Sequence, residues 1–192
     1  MKSCYTKRDE GGIMKRMIAV IGKGDALQGS PDYEIAEKIG FTLVESGYRL
    51  VTGGLRGVME AASRGGQNAS RHQDGDIVGI LPGIDRKEAN PYLDIVLPTG
   101  LGCARNCVVA ASHAVIIVGG GAGTLSEAAL AWQMRRLLLA WRGADSGWSS
   151  RLADKPLDGR ERFPGGVTDL VFGFDTAGEA VSLLQKYLKR HL

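Results

Sequence analysis

No stretch of this 192-residue chain approaches the 18 consecutive apolar residues that a membrane-spanning helix requires, and its first residues contain no apolar signal-peptide core. No membrane partner is therefore expected, and the chain reads as soluble and cytoplasmic. Cysteine is scarce, with three residues, one of them (Cys4) near the start, which excludes a disulfide framework. Cys103 and Cys107 are four apart and would share a helix face. No further Cys or His stands at ligand spacing, so no metal site is expected and both thiols read as small buried apolar residues. A net charge is nearly lacking as well. Residues 1–16 hold Lys2, Lys7, Arg8, Lys15 and Arg16 against Asp9 and Glu10, which accounts for the whole formal charge of +3. The remainder balances, so nothing argues for a nucleic-acid-binding face.

What is abundant is glycine, 28 residues, together with a hydrophobic content of 44%, as suits an α/β protein with many tight turns. The length fits one domain with a real core. Residues 1–16 are polar and aperiodic and read as a disordered basic tail, with Met14 as an alternative start. Residues 17–192 read as one Rossmann-like domain that binds a nucleotide or another phosphorylated ligand. Strands are expected at 17–21, 48–52, 76–81, 94–97, 115–118, 137–141 and 170–174. Helices are expected at 31–46, from 58, at 102–112, from 124 and at 177–188. This alternation implies right-handed crossovers and a three-layer, doubly wound, mostly parallel sheet. Residues 142–166 have no apolar period and read as a lid or a disordered loop.

The densest signal is at 115–127, where a β-branched run, VIIV, enters GGGAGTLSE. Glycines let a backbone approach an anion closely, and the free N–H groups of a helix N-terminus attract it. Thr124 and Glu127 also have capping-box spacing, so a tight turn closed by that box is the alternative, and the two are compatible. Two more glycine turns, 22–24 and 53–57, stand at strand ends, where doubly wound sheets bind ligands. Gly22, Lys23, Gly53, Gly54 and Gly57 are therefore ligand candidates beside Gly120, Gly121, Gly123 and Thr124. Lys23 and Arg56 read equally as solvated side chains. A dinucleotide fingerprint is broken in both places, by Leu27 and by Thr124 where a third glycine belongs, which disfavours an NAD-dependent oxidoreductase. His113 reads as a satisfied structural histidine. Trp132 and Trp141 read as core or subunit-contact residues, and Trp148 as an exposed or disordered residue or the cover of a base.

The 119–127 stretch resembles the PGGxGTxxE motif of the LONELY GUY proteins, nucleoside-monophosphate phosphoribohydrolases often misannotated as lysine decarboxylases. GGLRGVM at 53–59 is similar to that family's upstream glycine turn. LPTGLGCARN at 97–106 is closer still to the molybdenum-cofactor carrier branch of the same superfamily. The resemblance implies that Arg105 stands at the catalytic arginine and Glu127 at the catalytic glutamate, with Gly120, Gly121, Gly123 and Thr124 in the phosphate loop. It also implies a homodimer or homotetramer, no required cofactor, and a bound nucleotide or molybdenum cofactor as ligand. Asn106 replaces the lysine of cytokinin-activating hydrolases, and Gly119 replaces the motif's proline. The expected function is therefore a carrier of a phosphorylated small ligand, with a nucleoside 5′-monophosphate phosphoribohydrolase as the alternative. In a hydrolase, Glu127 would stabilise an oxocarbenium-like centre or activate water.

Overall fold

The structure is a computed structural model that describes residues 14–160, 162 and 169–191. Seven strands form one sheet: β1 (Met17–Gly22), β2 (Arg49–Thr52), β3 (Ile77–Leu81), β4 (Ile95–Pro98), β5 (Ala114–Val118), β6 (Leu137–Trp141) and β7 (Phe172–Phe174). Their order is β4-β3-β2-β1-β5-β6-β7, and every ladder between them is parallel. The expected three-layer, doubly wound α/β fold is therefore present. Strand order reverses between β1 and β5, so the loops leaving these two neighbours diverge and open a crevice at the carboxyl edge.

The β-branched runs explain the layering. β3, β5 and β6 are buried at all five positions, because helices cover both faces. Ile18, Val20, Leu50, Ala114, Ile116, Leu137 and Leu139 face helices α1 (Pro31–Glu45), α2 (Val58–Gln67) and α6 (Ala177–Tyr187). Ala19, Ile21, Val51, Val115, Ile117 and Leu138 face the opposite layer, built from α3 (Asn106–Ala110), α4 (Ala122–Gln133) and α5 (Trp148–Leu152). The punctuation of α1 works as its sequence implies. Ser30 accepts a hydrogen bond from the Tyr33 N–H at 3.4 Å, Pro31 fills the first turn, and Gly47 at φ +82° ends it.

α1 and α2 cross in close contact at two glycines. A Cβ on Gly40 would overlap the Ala62 carbonyl, and one on Gly65 would overlap that of Glu37. Both obstacles are helix backbone and cannot rotate away. Gly40→Ala is accordingly expected to destabilise folding by about 1–3 kcal/mol, the usual cost of forcing atoms into a filled contact. Urea denaturation checks this, and a variant as stable as the wild type would contradict the close crossing.

Residues 1–13 lie outside the described part. Just beyond them the chain is tied down: the Lys15 ammonium pairs with Asp76 at 2.7 Å, and the Arg16 carbonyl accepts the Arg49 N–H at 2.9 Å. Within the aperiodic 142–166 segment, α5 is a formed helix, while 161 and 163–166 lie outside the described residues. His113 is satisfied: its Nδ1 accepts the Met17 N–H at 3.1 Å, and burial lowers its pKa. Trp132 and Trp141 are buried in the core, whereas Trp148 is half-buried against the α5 side of it. The expectation of buried thiols fails. Cys103 and Cys107 are both exposed, because this stretch turns Arg105, Asn106, Val109 and Ala110 inward instead.

Candidate functional site

The crevice at the switch point holds a cavity of about 240 Å³. Ile21, Gly22 and Gly24 line it from the end of β1, Met59 from α2, Arg105 and Asn106 from the entrance to α3, and Gly121, Gly123, Thr124 and Glu127 from α4. Gly22 is glycine for a local reason: a Cβ there would overlap the Val118 carbonyl of the neighbouring strand.

The glycine turn after β5 is built to display N–H groups. Gly119 and Gly120 adopt φ +59° and +92°, in the left-handed region that disfavours side chains. α5 packs beneath them. The Gly119 carbonyl accepts the Ser149 N–H at 3.1 Å, and the Gly120 carbonyl accepts the Trp148 N–H at 3.0 Å. In trans peptides the carbonyl and the following N–H point in opposite directions. The N–H groups of Gly120 and Gly121 thus point away from α5, and Gly121 itself lines the cavity. The Gly119 N–H is occupied separately, donating to the Ser149 hydroxyl at 2.8 Å. Ser149 and α5 went unseen in sequence because a five-residue helix in an aperiodic stretch leaves no periodic signal.

α4 starts at Ala122, two residues before the Thr124 start expected from the capping box. That box does not form. Gly121 is the N-cap, no side chain caps the helix, and the first intrahelical bond runs from the Leu125 N–H to the Gly121 carbonyl at 3.0 Å. The N–H groups of Gly121, Ala122, Gly123 and Thr124 precede that bond, so they are the unpaired donors of the helix start. The Thr124 hydroxyl instead donates to the Gly22 carbonyl at 3.2 Å and pins α4 to the end of β1. Glu127, freed from capping, turns toward Arg105.

Arg105 closes a 3₁₀ turn, Gly102–Arg105, that leads into α3. Its position follows from topology. β4 runs parallel to β3 and delivers the chain to the carboxyl edge, and α3 is the crossover from there back to the start of β5. The turn after β4 is held at that edge by the Thr99 hydroxyl, which donates to the Leu81 carbonyl at 2.7 Å, and by the Gly102 N–H, which donates to the Pro82 carbonyl at 2.9 Å. The Arg105 Nη1 then reaches Glu127 Oε1 at 2.6 Å and Asn106 Oδ1 at 2.9 Å. Both charged residues are buried, 8% and 7% exposed, and the Arg105 Nε has no partner. Gly53 makes room for this guanidinium, since a Cβ there would lie 2.5 Å from Nη2.

The other candidates stand farther out. Gly54 shapes its turn by accepting Asn90 N–H and Nδ2 donors at 2.9 and 3.2 Å. Gly57, at φ +66°, is the N-cap of α2 and packs on the backbone of Lys23 and Gly24. Neither lines the cavity. Lys23 lies with Asp32 on the outer side of the Gly119 turn, where burial raises the Asp32 pKa against the lowering pull of Lys23. Gly24, inside the 22–24 turn, and Met59, at the end of the 53–59 stretch, also line the cavity, as does Ile21, for which the sequence offered no signal.

Burial raises the Glu127 pKa, and the adjacent Arg105 only partly offsets this. A carboxyl raised by folding stabilises the folded state below its ordinary value of 4.5, and that contribution disappears as pH rises through the folded value. The same titration would act on any anion placed in the cavity, because ionised Glu127 repels it. Sulfate affinity in the wild type is therefore expected to rise by about threefold or more as pH falls through the Glu127 titration, and to stay flat in Glu127→Gln. Calorimetry with sulfate, which does not itself titrate there, checks this.

Against known proteins, residues 15–159 match the sequence model of the SLOG cluster4 family. An uncharacterized protein of Archaeoglobus fulgidus is 43% identical over 122 residues, covering 62% of this chain and 75% of that one. Among solved structures, the molybdenum cofactor binding protein of the phototrophic bacterium Rippkaea orientalis is similar with a TM-score of 0.73 at 30% identity, covering 92% of this chain and 99% of that one. The Moco carrier protein of Chlamydomonas reinhardtii is similar with a TM-score of 0.69 at 26% identity and the same coverage.

Proposed function

The chain belongs to the SLOG cluster4 family, and on that premise we propose that it binds and carries a phosphorylated small ligand of the molybdenum-cofactor or nucleotide type. The phosphate would sit on the N-terminus of α4. The observation that carries this reading is the set of uncapped N–H groups from Gly121 to Thr124, which borders a cavity that Gly121 and Gly123 leave open. Buried Arg105, with Nε unpartnered, supplies the matching cation. The likeness to cofactor-binding proteins of two organisms supports a phosphorylated pterin as the cargo.

A hydrolytic reading draws on the Arg105–Glu127 pair, whose buried carboxyl with a raised pKa suits work at a glycosidic carbon. In the free protein that carboxylate is held by an ion pair at 2.6 Å, which favours binding over turnover. Mass spectrometry of the purified protein, followed by incubation with a nucleoside-monophosphate panel, separates the two. A carrier retains a phosphate-bearing ligand and releases no free base. Release of base from any monophosphate assigns the hydrolase instead, and absence of any phosphate-bearing ligand in both steps overturns the phosphate-site reading.

A homo-oligomer fits the apolar side chains left exposed on β4 (Ile95, Leu97), on the turn after it (Leu101) and on α3 (Val108). Val108→Glu is expected to lower the mass measured by light scattering, and an unchanged mass would exclude that face from the assembly. No helix among the described residues is long and apolar enough to cross a membrane.

A further inference from the structure

Beside the cavity of Arg105 and Glu127 lies a second hollow of about 260 Å³, and Gly24 lines both. It opens between the loop after β1 and the first turn of α2. Small-ligand sites usually occupy roughly 300–1,000 Å³, a range that neither hollow reaches alone and that the two together do. A ligand anchored at α4 therefore has its second half to place, and Gly24 is the saddle it would cross.

The chemistry of the second hollow suits a flat heterocycle. Its floor is apolar, with Ala26 and the ring of Tyr33 buried beneath it and Leu27 standing 76% exposed at the edge. Asp25, Gln28, Arg56 and Glu60 surround that floor. Among the described residues, none of these four side chains has a hydrogen bond or an ion pair within the protein. Farther along α2, Arg64 pairs with Glu37 at 2.6 Å. Glu60 and Tyr33 both line the hollow, so the carboxylate borders the same space as the ring.

Two carboxylates beside a guanidinium distinguish among ring edges. A 2-amino-4-oxopyrimidine ring, as in guanine or a pterin, presents a ring N–H and an adjacent amino group, two parallel donors that match one carboxylate. It also carries a carbonyl oxygen that accepts from a guanidinium. Adenine and cytosine place an acceptor nitrogen beside the amino group, so they lose one of those bonds and set a lone pair against the carboxylate. We propose that this hollow is a base subsite selective for a 2-amino-4-oxopyrimidine ring, with Asp25 and Glu60 reading its N–H edge and Arg56 its carbonyl. The inference rests on the phosphate-site reading above and names the class of ligand that site takes.

Calorimetric titration with GMP, AMP and ribose 5-phosphate tests it, on the wild type and on the double variant Asp25→Asn, Glu60→Gln. The wild type is expected to bind GMP at least about tenfold more tightly than AMP. In the double variant that ratio falls to within about twofold, while ribose 5-phosphate binds as in the wild type. Equal wild-type affinity for GMP and AMP, or a ratio that survives in the variant, overturns the subsite while ribose 5-phosphate binding keeps the phosphate reading intact. Failure of ribose 5-phosphate, GMP and AMP alike to bind the wild type removes the phosphate reading, and the subsite with it.

Discussion

Arg105→Ala is expected to weaken binding of a phosphorylated ligand by about ten- to 150-fold, the range for one charge-assisted hydrogen bond. It is also expected to lower folding stability at neutral pH by about 3 kcal/mol, because it strands a buried carboxylate. The two effects have different origins and can be separated. Arg105 pairs with Glu127 at 2.6 Å, with both residues buried, so loss of the cation raises the already raised Glu127 pKa further. The stability loss should therefore shrink as pH falls and Glu127 takes up its proton. Adding Glu127→Gln to Arg105→Ala removes the stranded charge and should recover most of the stability. Binding should not recover, since no cation faces the ligand. Urea denaturation and calorimetry on both variants check this, and a single variant that binds like the wild type would exclude Arg105 from the site.

Gly121→Val is expected to abolish ligand binding, a loss of at least about a hundredfold, while leaving folding close to the wild type. Gly121 has a negative φ, −107°, and a Cβ there would meet nothing within 4 Å, so no clash arises in the protein itself. The added side chain instead fills the space where an anion meets the N–H groups of α4. The same substitution one residue earlier should do the reverse. Gly120 has φ +92°, and its Cβ would overlap the Thr124 side chain, so Gly120→Val should cost about 1–3 kcal/mol of stability from the backbone alone. Thermal melting with ligand titration distinguishes the pair. A folded Gly121→Val protein with unchanged affinity would reduce the turn to a purely structural role.

Much of this architecture is legible in the residues, for identifiable reasons. β3, β5 and β6 are continuous apolar runs because both faces of a parallel sheet are covered, and such runs stand out without any tertiary knowledge. The glycine turns are legible because left-handed φ at Gly119 and Gly120, and the close approach of Gly22 to Val118, admit little else. The meeting of Arg105 with Glu127 is not legible from spacing, since their 22-residue separation says nothing until β4 is seen to deliver the chain to the carboxyl edge. The capping box misled for a local reason. Thr124 and Glu127 have its spacing, but the helix begins at Ala122 and both side chains are drawn to tertiary partners, Gly22 and Arg105. Cys103 and Cys107 misled likewise: a shared face of small apolar residues gives no sign of whether it turns inward.

On the proposed function, the uncapped start of α4 holds an anion. Titrating the ¹⁵N-labelled protein with inorganic phosphate, and following the backbone amide shifts, tests it most directly. Saturable shifts shared by Gly121, Ala122, Gly123 and Thr124 are expected. The start of α6, where Thr176 already caps the Glu179 N–H at 3.2 Å, should stay still. Saturable shifts confined to other parts of the chain, or none at any phosphate concentration, would contradict it.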